Sequence, residues 1–176
     1  GYLAEHREFR ILVFRGTKSI EEVFIDADFL PTSLAEQGLA GSAHRGMTRQ
    51  FARLWPSASS LLRARDRQDS KPILVTGHSL GGSLAVLNAL RLKKIGLPIL
   101  SLYTSAQPRV GDQAFYDELD HWLGDRYFRM EHILDATPRL PPSAGAASDF
   151  ASIAFPEDSF LYHQLIAFAE QIDYGS

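Results

Sequence analysis

Residues 72–96 contain the pattern that most constrains how this chain can fold. An apolar run at 72–76 predicts a short buried strand, and the sequence GHSLGG follows it at once at 77–82. Apolar residues then recur at helical spacing as far as Ile95, and Gly96 is placed to cap the helix. A strand that passes through a glycine turn into a helix is the basic unit of α/β domains, so an α/β fold is predicted.

The turn at residues 77–81 has the pattern Gly-x-Ser-x-Gly. Glycines two positions before and after a serine let the strand and the helix approach closely, so the serine lies on a sharp, strained turn. Its hydroxyl is then exposed at the sheet edge and at a helix N-terminus, where the backbone dipole favours a developing negative charge. The pattern predicts Ser79 as a nucleophile; the alternative is a glycine-rich turn without chemistry.

The rest of the chain alternates predicted strands with predicted helices. Strands are expected at 9–14, 99–104 and 127–134, and helices at 47–65, at 113–123 after the cap residue Asp112, and at 161–172. Pro56 interrupts the first helical pattern, so a kink or two shorter helices are expected there. Residues 31–46 and 141–160 have no clear period; such segments often form lids or pocket walls, and an ordinary surface loop is the alternative for each. The pattern favours one domain over 1–176, with a mainly parallel sheet flanked by helices.

Charge and composition exclude several classes of protein. The net charge of −3 argues against a surface that binds nucleic acid through bulk positive charge. The absence of cysteine excludes disulfides, thiolate nucleophiles and cysteine-based metal sites. No apolar run approaches the ~20 residues of a membrane-spanning helix, and the first residues lack the pattern of a signal peptide. No HExxH motif or histidine cluster occurs, so neither a metal nor a cofactor is expected.

A serine nucleophile needs a base, and the order that accompanies such a turn in an α/β sheet is serine, acid, histidine. His121 falls in a predicted helix, where a surface role is expected. His132 lies within a predicted strand and too early in that order. His163 follows every predicted strand and is therefore chosen as the base.

Asp135 is the predicted acid. It directly follows the strand expected at 127–134, and active sites of α/β domains gather at the ends of such strands. The competing carboxylates Asp149, Glu157 and Asp158 all lie in the irregular segment 141–160. A solvated surface carboxylate is the alternative reading for each of the four.

Further motifs resemble those of the class 3 (fungal-type) lipases, a family with the α/β-hydrolase fold. They are FRGT at 14–17, AHRGM at 43–47, GHSLGG at 77–82, QPRVGD at 107–112, DATPRLP at 135–141 and YH at 162–163. The resemblance covers the chain from about Phe9 to its end. It implies a serine carboxylic-ester hydrolase acting on lipid-like esters such as triacylglycerols, with Ser79 as nucleophile, His163 as base and Asp135 as the acid that orients the base.

The resemblance also implies groups around the nucleophile. Backbone N–H groups of Thr17 and Leu80 would form an oxyanion hole, and Asp26 would hold the Thr17 hydroxyl. The family's lid maps to residues 19–29, whose mixture of acidic and apolar residues fits either an amphipathic lid or a packed helix. The remaining supporting residues belong to the nucleophile turn: Gly77, His78 and Gly81.

The chain departs from the family pattern in several places. Thr137 and Met47 stand where valine and phenylalanine are usual. Only eight residues precede Phe9, where members usually carry a longer segment, so edge strands of the sheet can be missing. The lack of cysteine differs from secreted fungal members and favours a bacterial origin.

The resemblance leaves the substrate open. A phospholipase A1, a feruloyl esterase and a short-chain esterase use the same machinery. A relative without catalysis that binds lipid, and an acyltransferase or peptidase with the same triad, are further alternatives. The expected partner is an ester or lipid substrate, at a lipid–water interface if the lid functions. A secreted or extracellular location is preferred to a cytoplasmic one, although no residue pattern fixes it.

Overall fold

The computed structural model describes residues 1–16, 30–133, 135 and 137–139. Its strands are β1 (Tyr2–Glu5), β2 (Arg10–Phe14), β3 (Pro31–Ser33), β4 (Ser42–His44), β5 (Ile73–His78), β6 (Ile99–Ser105) and β7 (Tyr127–Met130). Five of them form the main sheet in the order β1-β2-β5-β6-β7, in which β1 is antiparallel to β2 and all other neighbours are parallel. The predicted α/β class with a mainly parallel sheet is confirmed.

Helices cover one face of this sheet. They are α1 (Arg45–Asp66), α2 (Leu80–Lys94) and α3 (Gln113–Leu123), with short 3-10 turns at Ala35–Gln37, Gly124–Arg126 and Thr137–Arg139. α2 contacts β2, β5 and β6 on one side and α1 and α3 on the other. Over the residues that the structure describes, no helix combines the length and the apolar character needed to cross a bilayer.

The central helix α2 is buried over almost its whole length. Every residue from Leu80 to Leu90 is buried, and so is Leu92. Because the sheet covers one side and two helices cover the other, α2 needs no polar face, and apolar or small residues occur all round it. The helix ends as predicted: Gly96, at φ 89°, donates its N–H to Lys93 O at 3.0 Å.

The helix predicted at 47–65 is present, and of the two outcomes expected at Pro56, a kink or two shorter helices, the second is wrong. α1 runs unbroken from Arg45 to Asp66 with Pro56 inside it. Its buried residues, Met47, Thr48, Phe51 and Leu62, lie on both sides of the proline, which is itself exposed. The missing backbone hydrogen bond is therefore on the solvent side, and the buried face that holds the helix in place stays continuous.

Three other segments differ from expectation. The strand predicted at 127–134 ends at Met130, because its pairing with β6 ends at Ser105 and the next residue, Ala106, turns away at φ 49°. The segment 31–46, expected to be irregular, contains the antiparallel pair β3 and β4. The short segment before Phe9 forms β1, an edge strand that the sequence pattern did not predict.

Several predicted features lie outside the described residues and stay predictions. They are Thr17, Asp26 and the lid segment 19–29; the loop 141–160 with Asp149, Glu157 and Asp158; and the base His163 with the closing helix 161–172.

Asp112 joins α3 to the β3–β4 pair. As predicted, it caps α3, and its Oδ1 accepts the Phe115 N–H at 3.0 Å. Its Oδ2 accepts the N–H of Ser42 at 2.9 Å, a contact between residues 70 positions apart. One carboxylate thus satisfies two backbone donors that would otherwise lack a protein partner.

Asp112→Ala should lower the free energy of unfolding by about 2–3 kcal/mol, because it removes an N-cap and leaves the Ser42 N–H unpaired. Gln113→Ala is the matched control, since its exposed side chain, among the described residues, bonds Asp117 of the same helix at 2.7 Å and no residue of another element. Urea unfolding measures both variants. A loss for Asp112→Ala no larger than that of the control would contradict the bridging role.

Candidate active site

Ser79 lies on the sharp turn that its sequence context predicts. It follows the last residue of β5, precedes the first residue of α2, and has φ 54° and ψ −132°. Such a positive φ is strained for any residue with a side chain, at a cost of roughly 1–3 kcal/mol. Backbone hydrogen bonds hold the turn: Ser79 N–H donates to Ser105 O at 2.9 Å, and Ser79 O accepts from Gly82 N–H at 2.8 Å.

Glycines on both sides of Ser79 permit the close approach of strand and helix. A Cβ atom on Gly77 would lie 2.1 Å from Gly81 O, and a Cβ atom on Gly81 would lie 2.3 Å from Phe14 O. Both contacts are with backbone atoms, which cannot move aside without displacing β2 or α2. Gly77 and Gly81 are therefore required by space at this turn, as the sequence pattern indicates.

The N-terminus of α2 presents an unused backbone donor, the Leu80 N–H, next to Ser79. The N–H groups of Gly82 and Ser83 both donate to Ser79 O. For the N–H of Leu80, the described part of the chain provides no backbone acceptor. The first N–H groups of a helix point out of its N-terminal end and carry its positive dipole, so the Leu80 N–H is suited to bind an anionic oxygen next to Ser79.

The end of β2 approaches the same turn. A Cβ atom on Gly16 would lie 2.7 Å from His78 O and 3.4 Å from the Ser79 Cβ atom. The chain therefore passes directly beside Ser79 at the residue before Thr17. His78 itself is exposed at the end of β5.

A cleft of about 680 Å³ opens at this edge of the sheet. It is lined by residues from the ends of β1, β2, β5 and β6, among them Tyr2, Phe14, Arg15, His78 and Ser105. Ser79 itself is buried and does not line the cleft, which reaches the turn at the neighbouring residues Gly77 and His78.

Asp135 lies beyond the end of β7, at the same edge of the sheet as Ser79. Its side chain is half-buried, and Oδ1 accepts the N–H of Thr137 at 2.9 Å. Its own N–H donates to His132 O at 2.9 Å. The order β5-β6-β7 puts the two predicted site residues two strands apart, at the carboxyl edge where α/β sites form.

A partly buried polar cluster, which we define as Gln107, Tyr127 and Arg129, joins the end of β6 to β7. Tyr127 OH donates to Gln107 Oε1 at 2.7 Å, and Arg129 Nη2 donates to Gln107 O at 2.9 Å. Gln107 is fully buried, and its Cβ atom would lie 3.0 Å from a Cβ atom on Gly82 of α2. The motif at 107–112 indicated Gln107, but no sequence signal singled out Tyr127 or Arg129.

Two other histidines considered as bases, His121 and His132, lie on the surface. His121 is exposed on α3, with its ring 5.4 Å from that of Trp122, in agreement with the predicted surface role. His132 is exposed at the turn before Asp135. Within the described ranges, no group of three or more His, Asp or Glu side chains could hold a metal ion.

Comparisons with known proteins place these features in context. Residues 11–145 match the family model described as Lipase (class 3). A lipase of Rhizomucor miehei is 37% identical over 139 residues, which cover 76% of this chain and 38% of the relative. The secreted mono- and diacylglycerol lipase A of Penicillium cyclopium is 32% identical over 146 residues, covering 80% and 46%. The solved structure of R. miehei triacylglyceride lipase matches with a TM-score of 0.72 and 32% identity, covering 81% of this chain and 56% of that one. This chain spans less than half the length of these curated relatives.

Gly81→Ala should abolish the expected ester hydrolysis and greatly lower the yield of folded protein, because the methyl group of the alanine would overlap the backbone of β2. Gly96→Ala is the matched control: its φ of 89° is also unfavourable for alanine, but no atom lies within 4 Å of the added Cβ. The control should lose about 1 kcal/mol of stability and keep its activity. Equal effects of the two substitutions on activity would contradict the packing argument.

The raised pKa of Tyr127 predicts that the free energy of unfolding falls at alkaline pH. Burial raises the pKa of Tyr127 to about 12, and the nearby phenol of Tyr116 adds to the rise. The unfolded chain releases this proton near its reference pKa of about 10, before the folded chain does, so stability is complete below that pH and falls as pH rises towards 12. Tyr127→Phe should reduce this fall, whereas Tyr2→Phe, at a side chain that is 65% exposed, should not. Urea unfolding at pH 8, 10 and 11 makes the comparison, and an unchanged slope in Tyr127→Phe would contradict it.

Proposed function

The chain belongs to the class 3 lipase family and has its α/β-hydrolase fold, and we propose on that basis that it hydrolyses carboxylic esters through Ser79. The observation that carries the proposal is the strained position of Ser79 between β5 and α2. A serine kept at a positive φ by surrounding backbone has its hydroxyl aimed out of the sheet edge, at the one end of α2 where negative charge is stabilised.

The proposed reaction proceeds through an acyl-enzyme. Ser79 Oγ attacks the ester carbonyl carbon while His163 accepts its proton, and Asp135 orients and stabilises the resulting imidazolium. When the tetrahedral intermediate collapses, the bond to the alcohol oxygen breaks and His163 returns the proton to that oxygen. Water then attacks the acyl group with His163 as base, and Ser79 is regenerated as the carboxylic acid leaves.

The oxyanion of the intermediate is proposed to bind the N–H groups of Leu80 and Thr17. The Leu80 N–H is the first donor of α2, and Gly16 packs against Ser79 at the residue before Thr17. Two donors aimed at the developing charge stabilise the transition state, and losing one typically costs on the order of 10²–10³ in turnover. Asp26 is proposed to hold the hydroxyl of Thr17.

Lipid-like esters, with acylglycerols first among them, are the proposed substrates. The family match and the acylglycerol lipases among the relatives support this choice. Because this chain spans less than half of those relatives, their substrates and their secretion are proposals here. We extend the proposal to action at a lipid–water interface, with residues 19–29 as the lid, and to an extracellular location.

Hydrolysis of p-nitrophenyl esters from acetate to palmitate tests the proposal directly. Ser79→Ala should lower kcat by at least about 10³-fold at every chain length while the circular dichroism spectrum is unchanged. Ser59→Ala is the matched control, because its hydroxyl is on α1 and, within the part of the chain that the structure describes, donates to Pro56 O of the same helix at 3.3 Å. Retained activity in Ser79→Ala would overturn the mechanism.

The same series separates the substrate classes. A long-chain optimum with a sharp rise in rate above the solubility limit supports a lipase acting at an interface. A short-chain optimum with smooth saturation points to an esterase, and preferential release of the sn-1 acyl group from phosphatidylcholine points to a phospholipase A1. Saturable binding of fatty acid without ester hydrolysis would show instead that the chain is a lipid-binding relative without catalysis.

A further inference from the structure

We propose that Arg129 is a positioning residue that fixes the acid Asp135 relative to the nucleophile turn. This inference rests on the proposed function. Nη2 of Arg129 donates to Pro138 O at 2.6 Å and to Gln107 O at 2.9 Å. These two carbonyls belong to different loops, one after β7 and one after β6, so a single nitrogen joins the loops.

The first of these loops carries Asp135. Its Oδ1 accepts the N–H of Thr137 at 2.9 Å, and Thr137 begins the 3-10 turn that also contains Pro138. Thr137 and Pro138 are both buried. Two hydrogen bonds and the backbone of two residues, Thr137 and Pro138, therefore connect the carboxylate of Asp135 to the guanidinium of Arg129.

The second loop connects Arg129 to the nucleophile turn. Gln107 is fully buried and packs against Gly82, only three residues beyond Ser79. Its side chain is fixed on both ends, since Oε1 accepts from Tyr127 OH at 2.7 Å and Nε2 donates to Pro108 O at 3.0 Å. Because the side chain of Gln107 is fixed, its backbone carbonyl is a rigid acceptor, and Arg129 sets the turn that carries Asp135 at a defined distance from it.

Arginine suits this position for a chemical reason. Its guanidinium is planar and holds its donors in fixed directions, and it stays charged when partly buried. Only 24% of the Arg129 side chain is exposed, and Glu131 Oε1 lies 2.9 Å from Nε, which balances the charge. Hydrogen bonds from a charged donor are stronger than neutral ones, so the two carbonyls are held firmly.

The test is a cycle of variants measured by steady-state ester hydrolysis. Arg129→Met should lower kcat about 10- to 100-fold with KM changed less than about twofold, because a displacement near 1 Å misplaces the acid while the substrate contacts remain. Arg129→Lys should recover part of that loss. Arg126→Met is the matched control: its Nη1 donates to Ile99 O at 3.2 Å and its Nε lies 3.6 Å from Asp125, next to β7. It should stay within about twofold of the wild type.

The Asp135→Asn background distinguishes positioning from a general loss of stability. Asparagine at position 135 retains an oxygen that can accept the Thr137 N–H, but it cannot stabilise an imidazolium. Moving this side chain out of place therefore lowers kcat little further. Arg129→Met should therefore lower kcat by less than about threefold in this background. If Arg129→Met does not fold, Arg129→Lys takes its place in the cycle, because lysine keeps the positive charge and an ammonium that can donate to carbonyl oxygens.

Two results would overturn the inference while leaving the proposed function intact. One is a loss for the Arg129 variant as large in the Asp135→Asn background as in the wild type. The other is an Arg129 variant as active as Arg126→Met, in a protein whose hydrolysis still requires Ser79. If Ser79→Ala hydrolyses esters as well as the wild type, the proposed function fails, and the role of Arg129 fails with it.

Discussion

The close approach of β5 and α2 at Ser79 is the constraint on which the other features of this molecule depend. The turn is tight enough to force a positive φ on a residue that carries a side chain, and it leaves no room for a Cβ atom at Gly77 or Gly81. Strain of this kind persists only where the surroundings determine the backbone completely. Here α2 supplies that condition, since it is buried from Leu80 to Leu90 between the sheet and two other helices.

The same constraint assembles the proposed site from distant parts of the chain. The end of β2 packs against the turn through Gly16, and the loop after β6 packs against it through Gln107. Arg129 joins that loop to the turn that carries Asp135. The proposed nucleophile, the helix N-terminus and the proposed acid are thus held by backbone contacts and partly buried hydrogen bonds at one edge of a mainly parallel sheet, as expected for chemistry that depends on fixed geometry.

The pattern of neighbouring residues in the sequence predicts some features of this structure, but not the contacts between residues that are distant in the chain. The strand–turn–helix unit around Ser79 and the cap at Asp112 follow from neighbouring residues, and both were predicted. The bond from Asp112 to Ser42 and the links from Arg129 to two loops join residues far apart in sequence or around a turn, where periodicity carries no signal. At Pro56, buried residues on both sides of the proline keep α1 in one piece, although proline usually breaks a helix. β7 is shorter than predicted because its pairing with β6 ends at Ser105 and Met130.

The central claim is that the fold itself activates Ser79, and covalent labelling tests it most directly. A fluorophosphonate forms a bond to the oxygen of an activated serine, with loss of fluoride, and peptide mapping by mass spectrometry locates the adduct. One adduct is expected, on Ser79, in the folded protein, and none after denaturation in urea. No adduct in the folded protein, or equal labelling of other serines and of the denatured chain, would contradict it.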